Sequence, residues 1–343
     1  MSTINMKQLA RQLNLSVSSV SRAFNNSYEI SPATKERILE LSKELNYQPN
    51  PHASSLRKNK SRTIAVVIPE IANNFFALAI DGIQNAASEK GYHVLIYVTN
   101  ENDKVESEAL THLQNGRVDG LLISVSNKTV TGGNLLRIQE LGLPIVFFDR
   151  VHDEFETAKV TTDDFESAFK ATEHLILRGC KRIAYLQISK KLSIGVNRMR
   201  GYLEALDKYD LQQEKNRVVN CIGNKEKNYN IIKAVMKDEG RPDGIFASVE
   251  QLAITSYEVC KDLDLKIPKD VKVISFSNLE TAALLNPALT TITQPAYEIG
   301  KEAASILLKA LMKKSFQLTN SKLVLASRLI ERESTGNCDL KNR

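Results

Sequence analysis

The sequence predicts two parts with different folds, a small all-α head followed by a larger α/β body with two lobes. The head is predicted from three short helical patterns within the first 62 of the 343 residues. The body is predicted because, from Arg62 onward, apolar runs of strand length alternate about ten times with amphipathic helices. Such alternation is typical of parallel sheets covered by helices on both faces, and it contains too many strands for one sheet.

Composition favours an ordinary globular protein. Apolar residues make up 42% of the chain and charged residues 25%, and no run of 18 apolar residues occurs. The polar N-terminus has no hydrophobic signal core, which argues against a secreted protein. The four cysteines are far apart and form no Cys-x-x-Cys pair, which disfavours a disulfide framework. We therefore expect a cytoplasmic protein with no membrane contact.

The positive charge is concentrated at one end of the chain. The first 62 residues contain ten Lys and Arg against four Asp and Glu, so the remaining residues contain 36 of each sign. A basic module on a neutral body is typical of a domain that binds a polyanion such as DNA. A solvated basic surface is the alternative, and charge alone does not decide between them.

The head contains three predicted helices, and each begins after a residue whose side chain can cap its first turn. The three capping residues are Asn5, Ser16 and Ser31. The first helix, Met6–Leu13, is joined to the second by a tight turn, and the second ends at Phe24. Two helices connected in this way are typical of a helix-turn-helix, whose second helix enters the major groove of DNA.

The second helix carries side chains suited to reading DNA. Val17 can contact a thymine methyl group, Ser18 can donate or accept a hydrogen bond, and Arg22 can bind a guanine edge with two bonds. Three further short hydroxyls can bind phosphates, namely those of Ser16, Ser19 and Ser21. A helical hairpin used only for packing is the alternative, which the basic charge makes less favourable.

The body divides near Val160 into two series of strands and helices. The strands predicted for the first series are Ile64–Ile68, Val94–Val98, Leu121–Val125 and Pro144–Phe148. Those of the second series are Val160–Thr162, Ile183–Ile188, Val218–Ile222, Gly244–Ala247 and Val271–Phe276. A helix over Ala296–Met312 and a single strand over Leu323–Ile330 follow, and we expect them to complete the two lobes.

Several short motifs stand in the order and spacing of one known family. In the head they are Leu9-Ala10, Val17–Arg22, Ile30–Pro32, Leu45–Asn50 and Ala53–Arg57. In the body they are Val118–Gly120, His174–Ile176, Arg198–Tyr202 and Pro287–Ile292. Over nearly its whole length the chain resembles the LacI/GalR family of bacterial transcription regulators. This resemblance implies a helix-turn-helix head and a two-lobed body of the periplasmic-binding-protein type I fold, with doubly wound parallel sheets.

The resemblance also gives a role to the segment between head and body. It implies that Pro51–Lys58 is a hinge helix that folds in the minor groove at the centre of the operator. Leu56 would be inserted between base pairs with Ala53 beside it, and Arg57 would lie against phosphate. A helix this short needs its partner copy and the DNA to persist. An ordinary flexible linker is the alternative.

A ligand site is expected in the cleft between the lobes, because ligands of open parallel sheets bind beyond the carboxyl ends of the strands. The resemblance implies that Phe75 stacks on a ring, that Asp149 accepts hydroxyl hydrogens and that Arg198 binds an anionic or carbonyl group. The full predicted effector site is Asn74, Phe75, Phe76, Asp149, Arg198, Val249 and Ser277.

The chain departs from the family pattern at two of these positions. Ser277 stands where the family usually has an Asp, and Val249-Glu250 replaces a common Asn-Asp pair. The missing Asp and Asn are frequent partners of sugar hydroxyls. We therefore expect a less negative cleft that suits an acidic or phosphorylated sugar derivative as well as a sugar.

The predicted function is a sequence-specific transcriptional regulator, most simply a repressor, that uses no cofactor. Its expected partners are double-stranded operator DNA of palindromic sequence, a small-molecule effector and a second copy of the chain. A solute-binding protein of a transport system is the alternative, which the basic head disfavours. An enzyme is not expected, because phosphate-loop, dinucleotide and nucleophile-elbow motifs are absent and the five histidines form no metal-type pair.

The predicted domain boundaries follow from these assignments. They are 1–48 for the head, 49–61 for the hinge and linker, 62–161 with 292–320 for the N-terminal lobe, 162–291 with 321–334 for the C-terminal lobe, and 335–343 for a polar tail.

Overall fold

The computed structural model describes residues 4–24, 27–47, 61–113, 117–126, 133–211, 218–313 and 315–336. The chain forms two compact units, which divide between Ser61 and Arg62. The first unit is an all-α head and the second is an α/β body, so the predicted fold class is confirmed.

The head contains three helices around a small apolar core. They are α1 (Met6–Gln12), α2 (Val17–Phe24) and α3 (Pro32–Glu44). All three predicted caps are confirmed, because Asn5, Ser16 and Ser31 each accept a hydrogen bond from a backbone N–H three residues later. The core that holds the helices together consists of Leu9, Ala10, Val20, Ala23 and Ile38.

The described part of the body contains twelve strands. In chain order they are β1 (Thr63–Ile68), β2 (His93–Val98), β3 (Gly120–Ile123), β4 (Ile145–Phe148), β5 (Lys159–Thr162), β6 (Ile183–Gln187), β7 (Val218–Asn220), β8 (Gly244–Ala247), β9 (Lys272–Phe276), β10 (Thr290–Thr293), β11 (Lys322–Leu325) and β12 (Arg328–Ile330). They form two six-stranded sheets, in the orders β11-β5-β4-β3-β1-β2 and β12-β10-β9-β8-β6-β7. Every pairing is parallel except that of β10 with β12.

Helices cover both faces of each sheet. In chain order they are α4 (Asn74–Glu89), α5 (Asp103–Leu113), α6 (Gly133–Glu140), α7 (Asp164–Leu177), α8 (Ser193–Lys208), α9 (Lys225–Lys237), α10 (Glu250–Asp262) and α11 (Ala296–Met312). Strand β1 shows why both faces must be covered. Ile64, Val66 and Ile68 lie in one core cluster, whereas Ala65 and Val67 lie in a cluster on the opposite face.

The end of the chain differs from the prediction. The single strand expected over Leu323–Ile330 is wrong, because β11 pairs with β5 in the first sheet and β12 pairs with β10 in the second. Residues 321–334 therefore do not all belong to the C-terminal lobe. Ser327 lies between the two strands, and its backbone N–H donates to Asp163 Oδ1 at 2.8 Å, which holds the chain where it passes from one sheet to the other.

One strand was not predicted at all. Strand β10 has the sequence Thr-Thr-Ile-Thr, which lacks the apolar run that marks strands such as β1, β3 and β4, although its first three residues are buried. With β10 in place, the chain passes between the lobes three times: after β5, after β10 and after β11.

Glycines allow the closest helix contacts in both lobes. A Cβ atom on Gly300 of α11 would lie 2.0 Å from the carbonyl oxygen of Ala79 in α4, and one on Gly82 would lie 2.1 Å from that of Tyr297. In the second lobe, a Cβ atom on Gly201 of α8 would lie 2.2 Å from the carbonyl oxygen of Phe165 in α7. These distances are too short for any side chain, so the helices approach through backbone contact.

We expect Gly300→Ala to lower the free energy of unfolding by about 1–3 kcal/mol, because α11 must move away from α4 to admit the methyl group. Urea denaturation measures the change. Gly133→Ala is the matched control, since a Cβ atom on Gly133 meets nothing within 4 Å and the variant should be at least as stable as the parent. Equal losses in both variants would contradict the close contact.

Candidate functional site

Helix α2 presents the predicted base-reading residues on the surface of the head. Val17, Ser18 and Arg22 are exposed, while Val20 and Ala23 on the other side of the helix are buried in the core. This is the arrangement that a recognition helix needs. Of the three predicted phosphate-binding hydroxyls, Ser16 is exposed and Ser19 and Ser21 are half-buried.

Arg22 has a partner that the sequence analysis missed. Its Nη1 lies 2.8 Å from Glu29 Oε2, and both side chains are about half exposed. The two residues are seven apart and Glu29 lies beyond the end of α2, so no helical spacing marked the pair. An exposed ion pair contributes at most about 1 kcal/mol, so Arg22 can exchange Glu29 for a DNA base at little cost.

The predicted hinge residues Ala53, Leu56 and Arg57 lie outside the described residues.

A narrow cleft between the two lobes is lined from both sides. The first lobe contributes Asn73, Phe75, Phe76, Asp149 and Arg150, and the second contributes Ile194, Arg198, Val249, Glu250, Phe276, Ser277, Asn278 and Gln294. Most of these residues follow the carboxyl ends of strands, which meet at one edge of each sheet. The cavity between them has a volume of about 30 Å³.

The structure brings together six of the seven predicted effector residues. Phe75, Phe76, Asp149, Arg198, Val249 and Ser277 all line the cleft. The seventh, Asn74, lies beside it and reaches the opposite lobe, where its Nδ2 donates to Glu250 Oε1 at 3.2 Å.

Asp149 occupies a strained position at the end of β4. Its φ of +58° is in the left-handed region, which costs energy for a residue with a side chain and is often found at ligand sites. Burial raises the pKa of its carboxyl group, and the guanidinium groups of Arg150 and Arg198 act in the opposite direction. Asp149 is therefore a buried acceptor in an environment with positive charge nearby.

Arg198 is bound by three groups of the second lobe. Its Nε donates to Asp164 Oδ1 at 2.7 Å, its Nη1 donates to the carbonyl oxygen of Ser248 at 2.6 Å, and its Cζ lies 3.7 Å from the ring centroid of Phe276. Only 2% of Arg198 is exposed. The guanidinium is held rigidly, and Nη2 is the nitrogen that neither hydrogen bond uses. Burial raises the pKa of Asp164 to about 6, although Arg198 acts to lower it.

The second arginine of the cleft is also paired. Arg150 Nη1 lies 2.5 Å from Glu101 Oε1, and its Nε lies 3.9 Å from Asp149 Oδ2. Its Cζ lies 5.7 Å from the ring centroid of Phe76, which places a cation over an aromatic face. Each cleft arginine therefore has a carboxylate as its partner.

Ser277 has no carboxylate of its own, but its hydroxyl is bonded to a neighbouring one. Ser277 Oγ lies 3.0 Å from Glu250 Oε2, so a neighbouring glutamate supplies negative charge where the family's Asp is missing. The two departures from the family pattern, at Val249-Glu250 and at Ser277, are thus in contact with each other. The sequence could not show this, because the two residues are 27 positions apart and belong to different elements.

Seven residues that line the cleft lie outside the predicted effector site, namely Asn73, Arg150, Ile194, Glu250, Phe276, Asn278 and Gln294. Asn278 and Gln294 lie where the chain leaves β9 and β10, and the side chain Nδ2 of Asn278 donates to the carbonyl oxygen of Gln294 at 2.7 Å. Gln294 was missed because β10 was missed. Ile194 was missed because it opens α8 and has no polar group to mark it, yet it packs in the core of the first lobe.

A larger cavity of about 590 Å³ opens outside the narrow cleft and shares Asn73, Arg150 and Val249 with it. Its wall includes the consecutive residues Lys190 and Lys191, which are both exposed. The outer cavity is therefore an open entrance to the cleft, and the two lysines give its second-lobe side a positive charge.

Two family models match the chain. One, described as bacterial regulatory proteins of the lacI family, matches residues 5–50. The other, described as periplasmic binding proteins and sugar binding domain of LacI family, matches residues 61–331. The chain belongs to the LacI family. The resemblance noted from the sequence motifs is confirmed.

LacI-family relatives cover almost the whole chain. The ribose operon repressor of Halalkalibacterium halodurans is 30% identical over 330 residues, which are 96% of each chain. The structure of a CelR–cellobiose complex, 25% identical, covers 96% of this chain and 99% of that one with a TM-score of 0.73. The fold also matches that of the lac repressor dimer bound to operator and the anti-inducer ONPF, with a TM-score of 0.83. The two sequences are 20% identical, and the match covers 97% of this chain and 99% of that one.

This LacI-family protein is a transcriptional repressor with a DNA-binding and a sugar-binding domain, and it is not an enzyme. No helix within the described residues is long and apolar enough to span a bilayer. Among the same residues, no three His, Cys, Asp or Glu side chains are grouped to hold a metal ion.

We expect the free energy of unfolding to fall as the pH rises from about 4 to 6, because of Asp164. Its pKa in the folded protein is about 6 against an ordinary value of 3.8. In that window the folded protein keeps a proton that the unfolded chain has released, so rising pH favours unfolding, by on the order of 3 kcal/mol for this group.

The measurement is urea denaturation of the parent and Asp164→Asn across pH 4–7. Between pH 4 and 6 the free energy of unfolding of the parent should fall relative to that of Asp164→Asn. The control is Asp207→Asn, which removes an exposed carboxylate from α8 and should show the same pH dependence as the parent. A pH-independent difference between the parent and Asp164→Asn would contradict the assignment.

Proposed function

We propose that this LacI-family repressor binds a palindromic operator as a homodimer and that a sugar bound in the cleft between its lobes controls the binding. The observation that supports the effector role most directly is that polar and aromatic side chains from both lobes converge on one cleft at the strand ends. A ligand in this cleft contacts both lobes at once, so its binding favours one relative position of the lobes over another.

A neutral sugar is the effector class that the cleft favours. Phe75 and Phe76 line the cleft with aromatic side chains, and Asp149 offers a buried carboxylate, a combination suited to a ring with hydroxyl groups. Two buried polar atoms of the cleft, Arg150 Nε and Asn278 Oδ1, have no hydrogen-bond partner among the described residues, and a polar ligand would supply one. The names of the relatives, a ribose operon repressor and a cellobiose complex, agree with a sugar.

An acidic or phosphorylated sugar is the second candidate. The absence of a carboxylate at Ser277 supports this candidate only weakly, because the carboxylate of Glu250 lies 3.0 Å from the Ser277 hydroxyl. What favours it instead is the pair Lys190 and Lys191 at the outer cavity, where a phosphate extending from the cleft could be bound. A solute-binding protein is not favoured, because residues 5–50 match a family of regulatory proteins.

DNA binding is proposed to use the residues that the sequence singles out. In the head, Val17, Ser18 and Arg22 would read bases, and the hydroxyls of Ser16, Ser19 and Ser21 would bind phosphates. In the hinge, Ala53, Leu56 and Arg57 would bind the minor groove. The boundaries proposed for the head (1–48) and the hinge (49–61) follow the same reasoning, and location at the nucleoid follows from DNA binding. The predicted start of the tail (335–343) is wrong, because Thr335 is buried and its hydroxyl bonds His174 and Thr290 of the second lobe.

The first sheet has an open edge that suits dimer formation. Strand β2 ends the sheet and has three exposed and three half-buried residues, unlike the buried strands β1, β3 and β4. Leu95 is 39% exposed and Ile96 is 36% exposed on this edge. An apolar edge strand left in water invites pairing or aggregation, so we propose that a second copy of the chain covers it.

Arg22→Ala should reduce the preference for operator over random DNA by about 1–3 kcal/mol, because a guanine contact is lost. The operator is first selected from genomic fragments by the purified protein, and binding to it and to a scrambled duplex is then measured at several salt concentrations. Arg37→Ala removes the same charge from α3 and should weaken both duplexes about equally. If no fragment is selected at any salt concentration, the proposed function is wrong.

Leu95→Asp should convert the dimer to a monomer at micromolar concentration, because a carboxylate at the covered edge would be buried without a partner. Native mass spectrometry and light scattering measure the assembly. Leu177→Asp is the control, since Leu177 is more exposed, at 69%, but lies on helix α7. A dimer that persists in Leu95→Asp would place the interface elsewhere.

A further inference from the structure

Glu250 takes the place of the carboxylate that the strand end at Ser277 lacks. Ser277 Oγ accepts a hydrogen bond from the backbone N–H of Leu279 at 3.0 Å and lies 3.0 Å from Glu250 Oε2. Because a carboxylate only accepts, the hydroxyl hydrogen of Ser277 must point to Glu250. Ser277 is buried, so this bond fixes the carboxylate of Glu250 at the wall of the cleft.

The other oxygen of Glu250 is bound from across the cleft. Glu250 Oε1 accepts from Asn74 Nδ2 at 3.2 Å, and Asn74 begins α4 of the first lobe whereas Glu250 begins α10 of the second. Glu250 therefore bridges a hydroxyl of its own lobe and an amide of the opposite lobe. When the lobes move apart, the bond to Asn74 breaks and the bond to Ser277 remains.

The charges around the cleft determine which ligand groups Glu250 can bind. The two arginines, Arg150 and Arg198, already have Glu101 and Asp164 as partners. Asp149 and Glu250 are the two carboxylates that line the cleft itself. A carboxylate or phosphate on the ligand would be repelled by these two groups, whereas hydroxyl hydrogens would find acceptors in both lobes.

We propose that Glu250 is the residue that selects a hydroxyl-bearing, uncharged effector and that the effector hydroxyl takes the position of the Asn74 amide on Glu250 Oε1. This inference rests on the proposed function and assigns a specificity residue to the same cleft. The Asn74 amide and the effector hydroxyl use the same oxygen of Glu250, so only one of them can bind it at a time. Effector binding is therefore linked to the relative position of the two lobes. Ser277 is the positioning residue that keeps this oxygen in the cleft.

The first experiment tests the bridge in the full chain without ligand. Asn74→Ala and Glu250→Ala should each lower Tm by about 2–4 °C, and the double variant should lower it by clearly less than the sum, because both changes remove the same bond. Strictly additive shifts would show that the two side chains do not interact and would overturn the bridge.

The second experiment tests specificity with a fixed panel of ribose, glucose, cellobiose, glucosamine and glucose 6-phosphate. Calorimetry on the full chain should find binding by a neutral member, and Glu250→Gln should weaken it by about ten- to a hundredfold, because a charged acceptor is lost. Asn74→Ala should bind that sugar at least as tightly as the parent, since the competing amide is gone.

Glu258→Gln is the matched control, because Glu258 lies on the same helix and pairs with Lys225 on the surface. It should bind the sugar like the parent. Unchanged affinity in Glu250→Gln, binding by glucose 6-phosphate alone, or binding by no member of the panel would each overturn the inference. Selection of operator fragments is measured separately, so a protein that binds DNA but none of the sugars would refute the specificity assignment and leave the repressor function standing.

Discussion

Parallel strands place all of their carboxyl ends at one edge of a sheet, and in this protein two such edges open onto one cleft. The strand ends cannot be paired with further strands, so the backbone there turns and polar side chains such as Asp149, Ser277 and Gln294 become available to a ligand. The location of the site therefore follows from the topology. The identity of the side chains at these few positions then determines the chemistry of the cleft.

Charge pairing determines what those side chains can do. A buried guanidinium needs a carboxylate partner, and Arg198 finds it in Asp164 while Arg150 finds it in Glu101. Because both partners approach from outside the cleft, the cleft arginines are largely neutralised. The groups left to face a ligand are acceptors, above all Asp149 and Glu250. In the head, Arg22 is also paired with a carboxylate, that of Glu29. This pair is exposed and therefore weak, so it can be broken at little cost in free energy.

The cleft and the connections between the lobes are adjacent. Asn278 lines the cleft and also bonds the backbone of Gln294, where the chain leaves the second sheet after β10. The neighbouring passage is held by Asp163, whose carboxylate accepts the backbone N–H of Ser327. A ligand in the cleft would thus lie beside the segments that connect the two lobes, and in the proposed function this proximity allows the ligand to favour one lobe position over another.

The sequence by itself determined the two-part organisation, the helical head with its three caps, most strands and helices of the body, and six of the thirteen residues that line the cleft. These features depend on local periodicity, on capping side chains and on short motifs, all of which can be read along the chain. Only the tertiary structure decided that Glu250 replaces the carboxylate missing at Ser277, that Arg22 pairs with Glu29, and that β11 and β12 belong to different sheets. Each of these depends on a contact between residues that are separated along the chain. The threonine-rich strand β10 was not predicted because burial in a sheet does not require an apolar sequence.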